Sequence, residues 1–173
     1  MTETDWPALI ADHGPAVWRT VFRLLGRHAD AHDCYQEVFL DAYRAAQGRA
    51  IDRWPAFLKS LATRRAIDHL RRRGRSARRL APLDPAAEPA ATGFSAAEMA
   101  EGAESLDGLR ALLAGLPARQ AEAFWLIGVE EMPHAEASAA MEVSPGELRV
   151  LLHRARARLR AAYSEPPRTR SDR

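Results

Sequence analysis

The chain has 173 residues, 47% of them hydrophobic, and its 25 lysines and arginines against 23 aspartates and glutamates leave a formal charge of +2. That composition excludes wholesale disorder, and with no apolar run near the roughly 20 residues that a bilayer span requires, membrane insertion is not expected. A single cysteine, Cys34, excludes an internal disulfide, in keeping with a reducing cytoplasm, and the opening MTETDWPALIADHGP lacks the basic start and apolar run of a signal peptide.

From Trp6 to Gly26 the apolar residues Leu9, Ile10, Val17, Trp18, Val21, Phe22, Leu24 and Leu25 predict a short helix, a break at Gly14-Pro15, and a second helix ending near Gly26. Asp30 is then the expected N-cap of a helix whose buried side is Cys34, Val38, Phe39 and Ala42. On its other side Asp33, Glu37 and Asp41 recur at i, i+4 and i+8. Like charges at this spacing cost a few tenths of a kcal/mol per pair unless a basic partner meets them. The stripe is therefore either a solvated face or a docking surface for something basic.

The stretch Trp54–Leu80 carries nine basic residues against one acid, Asp68, a net +8 in a chain of +2. Phe57, Leu58, Leu61, Ala62, Ala66, Ile67 and Leu70 fall at helical spacings, and Arg64, Arg65, Arg71 and Arg72 lie on another side. An arginine run is often only a solvated helix face. A strip this dense repels itself unless it is screened, and a phosphate backbone does that with release of counterions. Nucleic acid is the expected partner.

Beyond it, 81–104 is rich in proline and alanine with scattered acids, and residues 81–117 carry a net −5. This predicts a flexible acidic linker, with a short helix around Ala96–Glu101, that leaves the units on either side without a fixed separation. Leu106, Leu109, Leu112, Leu113 and Leu116 then form one face of a helix that stops before Pro117, followed by a helix carrying Phe124, Trp125 and Ile127. A short helix over Pro133–Met141, a turn at Glu142-Val143 and a long helix from Ser144 complete the pattern. Ser144, Pro145 and Glu147 make a capping box, worth about 1 kcal/mol. Two helices joined by a tight turn have helix-turn-helix geometry. Leu148, Leu151, Leu152, Ala155, Leu159 and Ala162 share one side of the last helix, and Arg149, His153, Arg156 and Arg160 share another.

These stretches together resemble the extracytoplasmic-function sigma factors. Asp30, Ala31, Asp33, Gln36, Glu37, Phe39, Ala42, Tyr43 and Arg44 resemble the family's DAxDxxQExFxxA(W/Y)R helix, which docks on the clamp helices of the polymerase largest subunit. Trp54 to Arg73 resembles the segment that melts and reads the promoter's minus-ten element. Leu116-Pro117 and Arg119-Gln120 resemble the opening of the second domain, and Ser144, Gly146, Leu152-His153-Arg154-Ala155-Arg156 and Leu159-Arg160 resemble the helix that reads the minus-thirty-five element. Arg64, Glu142, Pro133, Glu147 and Leu151 depart from the usual pattern, which bears on promoter preference and not on fold.

The resemblance implies an all-α protein of two small helical domains: 1–80 for polymerase docking and minus-ten melting, 81–104 as linker, 105–163 ending in a helix-turn-helix, and 164–173 as a tail. It implies core-polymerase contacts at Asp33, Gln36, Glu37 and Asp41. DNA contacts are implied at Lys59, Arg64, Arg65, Arg71, Arg72, Arg73, Ser144, Glu147, Arg149, His153, Arg156 and Arg160. The implied partners are core RNA polymerase and promoter DNA, with an anti-sigma factor left open; no cofactor or catalytic residue is implied. Two other classes compete. A helix-turn-helix regulator acting without polymerase leaves the acidic helix unexplained, and an enzyme would have to rest on a metal at His28, His32, Asp33, Cys34 and Glu37, where Cys34 falls on the buried side.

Overall fold

The computed structural model describes residues 4–80 and 106–164, which form seven helices and, among the described residues, no strand: α1 (Trp6–Leu25), α2 (His28–Gly48), α3 (Trp54–Leu80), α4 (Leu106–Gly115), α5 (Ala118–Gly128), α6 (His134–Ala140) and α7 (Pro145–Ser164). The all-α expectation holds. The expected linker at 81–104, the short helix expected around Ala96–Glu101 and the expected tail from 165 onward lie outside the described residues.

α1 begins where the Asp5 carboxylate accepts the Ala8 N–H at 3.1 Å and ends at Gly26, whose φ of 69° closes the helix with an N–H bond to the Phe22 carbonyl at 2.9 Å. The expected break at Gly14-Pro15 is absent. A proline inside a helix costs about 3 kcal/mol, but Leu9, Val17, Val21 and Leu24 lie buried on one face on both sides of it. Each such side chain contributes about 1.5–3 kcal/mol on burial, so one continuous helix wins. Gly14 faces inward, and a Cβ there would stand 2.5 Å from the Tyr35 hydroxyl.

The start of α2 also differs from expectation. The helix opens at His28 after Arg27, with no side-chain cap, and Asp30 sits in the first turn instead, where its carboxylate meets the positive end of the helix dipole. It pairs with Arg73 at 3.2 Å and with Arg27 at 3.9 Å. The expected buried face of Cys34, Val38, Phe39 and Ala42 is present.

α3 is the axis of the molecule and runs past Arg73 to Leu80. Leu58, Leu61, Ala62, Ala66, Ile67 and Leu70 are buried as the spacing predicts. α1, α2, α4, α5 and α6 all pack on it. In the second unit Leu112, Leu113, Leu116 and Trp125 are buried, whereas Leu106, at the first position of α4, stays half exposed. At the turn before α7, Glu142 holds φ at 56°, a region that costs a non-glycine residue about 1–2 kcal/mol. The Ser144 hydroxyl then accepts the Glu147 N–H at 3.1 Å, and α7 buries Leu148, Leu152 and Ala155.

The two units are packed together, contrary to the expectation of no fixed separation. One core cluster runs from Val21, Leu58 and Leu61 into Leu113, Leu116, Ala121 and Trp125, while Ala56 joins Ala123, Leu126 and Met132 in a second. Ala56, Ser60 and Thr63 are buried on α3. Small residues in this row let α5 approach closely.

Candidate nucleic-acid interface

The acidic stripe of α2 and the basic strip of α3 face one another. Asp41 pairs with Arg65 and with Arg44 at 3.1 Å. One turn earlier, Glu37 shares a 3.0 Å hydrogen bond with His69 and lies 3.9 Å from Arg72. Arg73 reaches Asp30 and, at 3.4 Å, donates to the Leu25 carbonyl. As the α2 numbers fall from 41 to 37 to 30, the α3 numbers rise from 65 to 69 to 73, the register of an antiparallel helix pair. Of the four residues expected to dock on polymerase, Asp33 and Gln36 are exposed, while Glu37 and Asp41 are half-buried and already paired.

Beside the two exposed positions lies an apolar groove that charge reasoning missed. Leu40 is 55% exposed and Tyr43 49% exposed, and with Trp6, Ile10, Tyr35 and Phe39 they form its walls. The signal was in the sequence as Gln36, Leu40 and Tyr43 at i, i+4 and i+7, a stripe beside the acidic one.

The α3 cations fall into two groups. Arg64 is exposed and Arg71 half-exposed, and neither forms an ion pair among the described residues. Lys59, Arg65, Arg72 and Arg73 are paired, Lys59 with Glu130 of the second unit at 3.2 Å. On α7 Arg149, His153, Arg156 and Arg160 are all exposed, as are Ser144 and Glu147 at its start. None of the four basic side chains pairs with a carboxylate among the described residues. A phosphate backbone could approach that stripe without displacing anything.

Glu122 was not singled out by sequence reasoning, although its position on α5 faces α3. It is 1% exposed. The Ser60 hydroxyl donates to it at 2.8 Å and Arg119 at 3.1 Å. Burial pushes its carboxyl above the usual carboxylate range, opposed by the Ser60 hydrogen bond and the Arg119 charge.

The residues that a metal would have used are dispersed. Cys34 points into the core, where burial, with the Glu37 charge adding to it, pushes the thiol up to about 12, and the His28 ring lies against Trp18 at 5.0 Å. Among the described residues, no three His, Cys, Asp or Glu side chains converge on a site that could hold a metal ion. Nor, among them, is any helix long and apolar enough to cross a membrane.

Comparison with known proteins gives this arrangement a family. Residues 9–76 match the Sigma-70 region 2 model and residues 106–159 match the Sigma-70 region 4 model, together more than half of the chain. The chain is 30% identical over 160 residues to "ECF RNA polymerase sigma factor SigE" of Mycolicibacterium smegmatis, a match covering 90% of this chain and 60% of that protein. It therefore spans under two thirds of that relative's length. Among solved structures, the fold resembles the sigma factor RpoE of Bartonella quintana, crystallised with the anti-sigma factor NepR, with a TM-score of 0.54 at 22% identity over 91% of this chain and 96% of that one. It also resembles CnrH, solved with the cytosolic domain of CnrY, with a TM-score of 0.55 at 22% identity over 90% of this chain and 85% of that one. The chain belongs to the sigma-70 family, a region 2 domain followed by a region 4 domain in the pattern of the extracytoplasmic-function sigma factors.

Proposed function

We propose that the protein is a transcription initiation factor of the bacterial cytoplasm, which binds core RNA polymerase, directs it to particular promoters and opens the minus-ten region. The observation that carries this is the pair of family matches, region 2 and region 4 in order, each placed on a domain with a cationic surface. The domains are residues 1–80 and 105–163, joined by a linker at 81–104.

Core polymerase docks on the outer face of α2. Asp33 and Gln36 supply its polar part, with Glu37 and Asp41 at its inner edge, and the Leu40 and Tyr43 side chains supply apolar area that a half-paired acidic stripe lacks. Downstream DNA lies along α3, where Arg64 and Arg71 are the first contacts, and Lys59, Arg65, Arg72 and Arg73 join as their intramolecular pairs exchange for phosphate. Upstream DNA meets Arg149, His153, Arg156 and Arg160 on α7, with Ser144 and Glu147 at the leading end. Melting draws on binding energy, so no catalytic residue or cofactor is needed. The fold neighbours RpoE and CnrH were solved with an anti-sigma factor and a cytosolic domain respectively, which supports a protein inhibitor as a further partner here.

The test is transcription in vitro from genomic DNA by purified core polymerase, with and without the chain. Initiation at a discrete set of start sites only when the chain is added is the expected result. Repression with no new start sites would replace this function with that of a regulator acting alone.

A further inference from the structure

At the corner where α1 turns into α2, beside the later turns of α3, lies a cavity of about 270 Å³ lined chiefly by Arg27, Asp30, His69, Arg72, Arg73 and Ser76. Three guanidiniums surround one carboxylate there. Asp30 takes Arg73 at 3.2 Å and Arg27 at 3.9 Å, while Arg72, 52% exposed in its side chain, has Glu37 no nearer than 3.9 Å. The pocket is cationic, with donors to spare. α2 opens at this corner with no side-chain cap, so its first N–H groups add positive potential to it.

Ser76 lines the same pocket and is exposed. It stands three and four residues after Arg73 and Arg72, one turn on and on their side of the helix. In sequence it is the one hydroxyl of RRRGRSARR, a segment that an enzyme with an acidic substrate groove would select. Gly74 weakens the helix beside it, and Arg71 and Arg75 repel at i, i+4. This end of α3 is therefore where a side chain is most readily presented.

We infer that Ser76 is a phosphorylation site and that the corner pocket receives the phosphoryl group, pinning the later turns of α3 to the α1–α2 turn. The donor is a nucleoside triphosphate held by a serine kinase. The Ser76 oxygen bonds to the γ-phosphorus as the bond to the bridging oxygen breaks, the hydroxyl proton passes to the kinase's base, and nucleoside diphosphate leaves. Phosphoserine carries about −1.5 to −2 charges at neutral pH and three acceptor oxygens, which guanidiniums bind in pairs. Arg72 and Arg73 meet it from its own helix and Arg27 from across the corner. A second consequence, loss of Arg72 and Arg73 to DNA, rests on α3 being a DNA-binding helix, as proposed above; the docking does not.

The full-length chain, incubated with ATP and a serine kinase that selects arginine three and five residues before its target, should take up phosphate at Ser76 by peptide mapping. Ser76→Ala should lose that phosphopeptide. Chain carrying phosphoserine at 76, installed during translation, should melt about 3 °C or more above the unmodified chain. Arg27→Ala removes a side chain that is 70% exposed and has no part in the DNA surface assigned above. It should cut that rise by half or more, whereas a rise from charge neutralisation alone would survive it. Duplex binding by the phosphorylated chain should weaken about tenfold at low salt, with a salt dependence shallower by about two contacts. No phosphate at Ser76, a melting temperature unchanged or lowered by phosphoserine, or a rise undiminished in Arg27→Ala would each overturn the inference. Unchanged duplex affinity with the Arg27-dependent rise intact would support the docking and count against Arg72 and Arg73 as DNA contacts, so the two failures are distinguishable.

Discussion

Glu37 Oε2 and His69 Nε2 lie 3.0 Å apart across the α2–α3 seam, so a carboxylate on the exposed side of one helix is held by the helix beside it. The relationship changes what a charge reversal at Glu37 would mean. A lysine there would face His69 and Arg72 and loosen the seam as well as the docking face. Asp33, exposed and without such a partner among the described residues, and the pair Leu40 and Tyr43 are the cleaner probes.

Leu40→Ala with Tyr43→Ala should reduce capture by core polymerase at least tenfold, about 1.4 kcal/mol, and leave the helical content and melting temperature within error of wild type. Asp33→Lys should weaken capture by a smaller factor, more so at low salt. Pull-down of core at wild-type level by the folded double variant would remove the apolar groove from the docking surface.

Arg64→Ala with Arg71→Ala should make the salt dependence of duplex binding shallower by up to about two contacts' worth, since each lost phosphate contact releases about one counterion fewer. The same change at Arg65 is expected to do something different. It strips Asp41, 15% exposed in its side chain, of one of its two cationic partners and leaves it Arg44 at 3.1 Å, and stability should fall by about 1 kcal/mol. Arg156→Ala should leave proximal promoter protection intact and lose it on the distal element, read by footprinting the polymerase complex.

Helical periodicity made the core of α3, the buried face of α2 and the Ser144 cap legible, because burial and capping are local and periodic. The continuity of α1 was not legible, because Gly14-Pro15 reads as a break until packing on both sides of it is counted. Asp30 was misread as a cap for a related reason: its partner, Arg73, is distant in sequence. The α2–α3 pairing left a faint trace, since the spacing of Glu37 and Asp41 equals that of Arg65 and His69. The docking of one domain on the other left almost none, as Ser60, Thr63 and Glu122 read individually as ordinary polar helix positions.

Cys34 is fully buried and its thiol is pushed up to about 12, so almost none of it is thiolate at neutral pH. Alkylation by iodoacetamide in native buffer should be slow and follow the rate of opening, and denaturant should raise it sharply. Rapid modification of the folded protein at pH 8 would show that the α1–α2–α3 core opens far more readily than its packing suggests.

Glu122 gives a pH dependence whose sign can be worked out. Burial raises its folded pKa above the ordinary 4.5, so the folded chain binds this proton more tightly than the unfolded chain does. Its contribution to stability is therefore full below 4.5 and is lost as pH rises through the folded value. Glu122→Gln keeps an oxygen for the Ser60 hydroxyl and removes the titration, while Arg119, 41% exposed in its side chain, retains its 2.5 Å bond to the Met141 carbonyl. Melting temperature measured from about pH 7.5 down to about pH 5 should thus rise more in wild type than in Glu122→Gln. Glu122→Ala, which leaves Ser60 and Arg119 without this acceptor, should lose about 2 kcal/mol throughout. Equal pH slopes in wild type and Glu122→Gln would mean that the carboxyl between α3 and α5 titrates like an exposed one, and that the seam between the two domains is open to water.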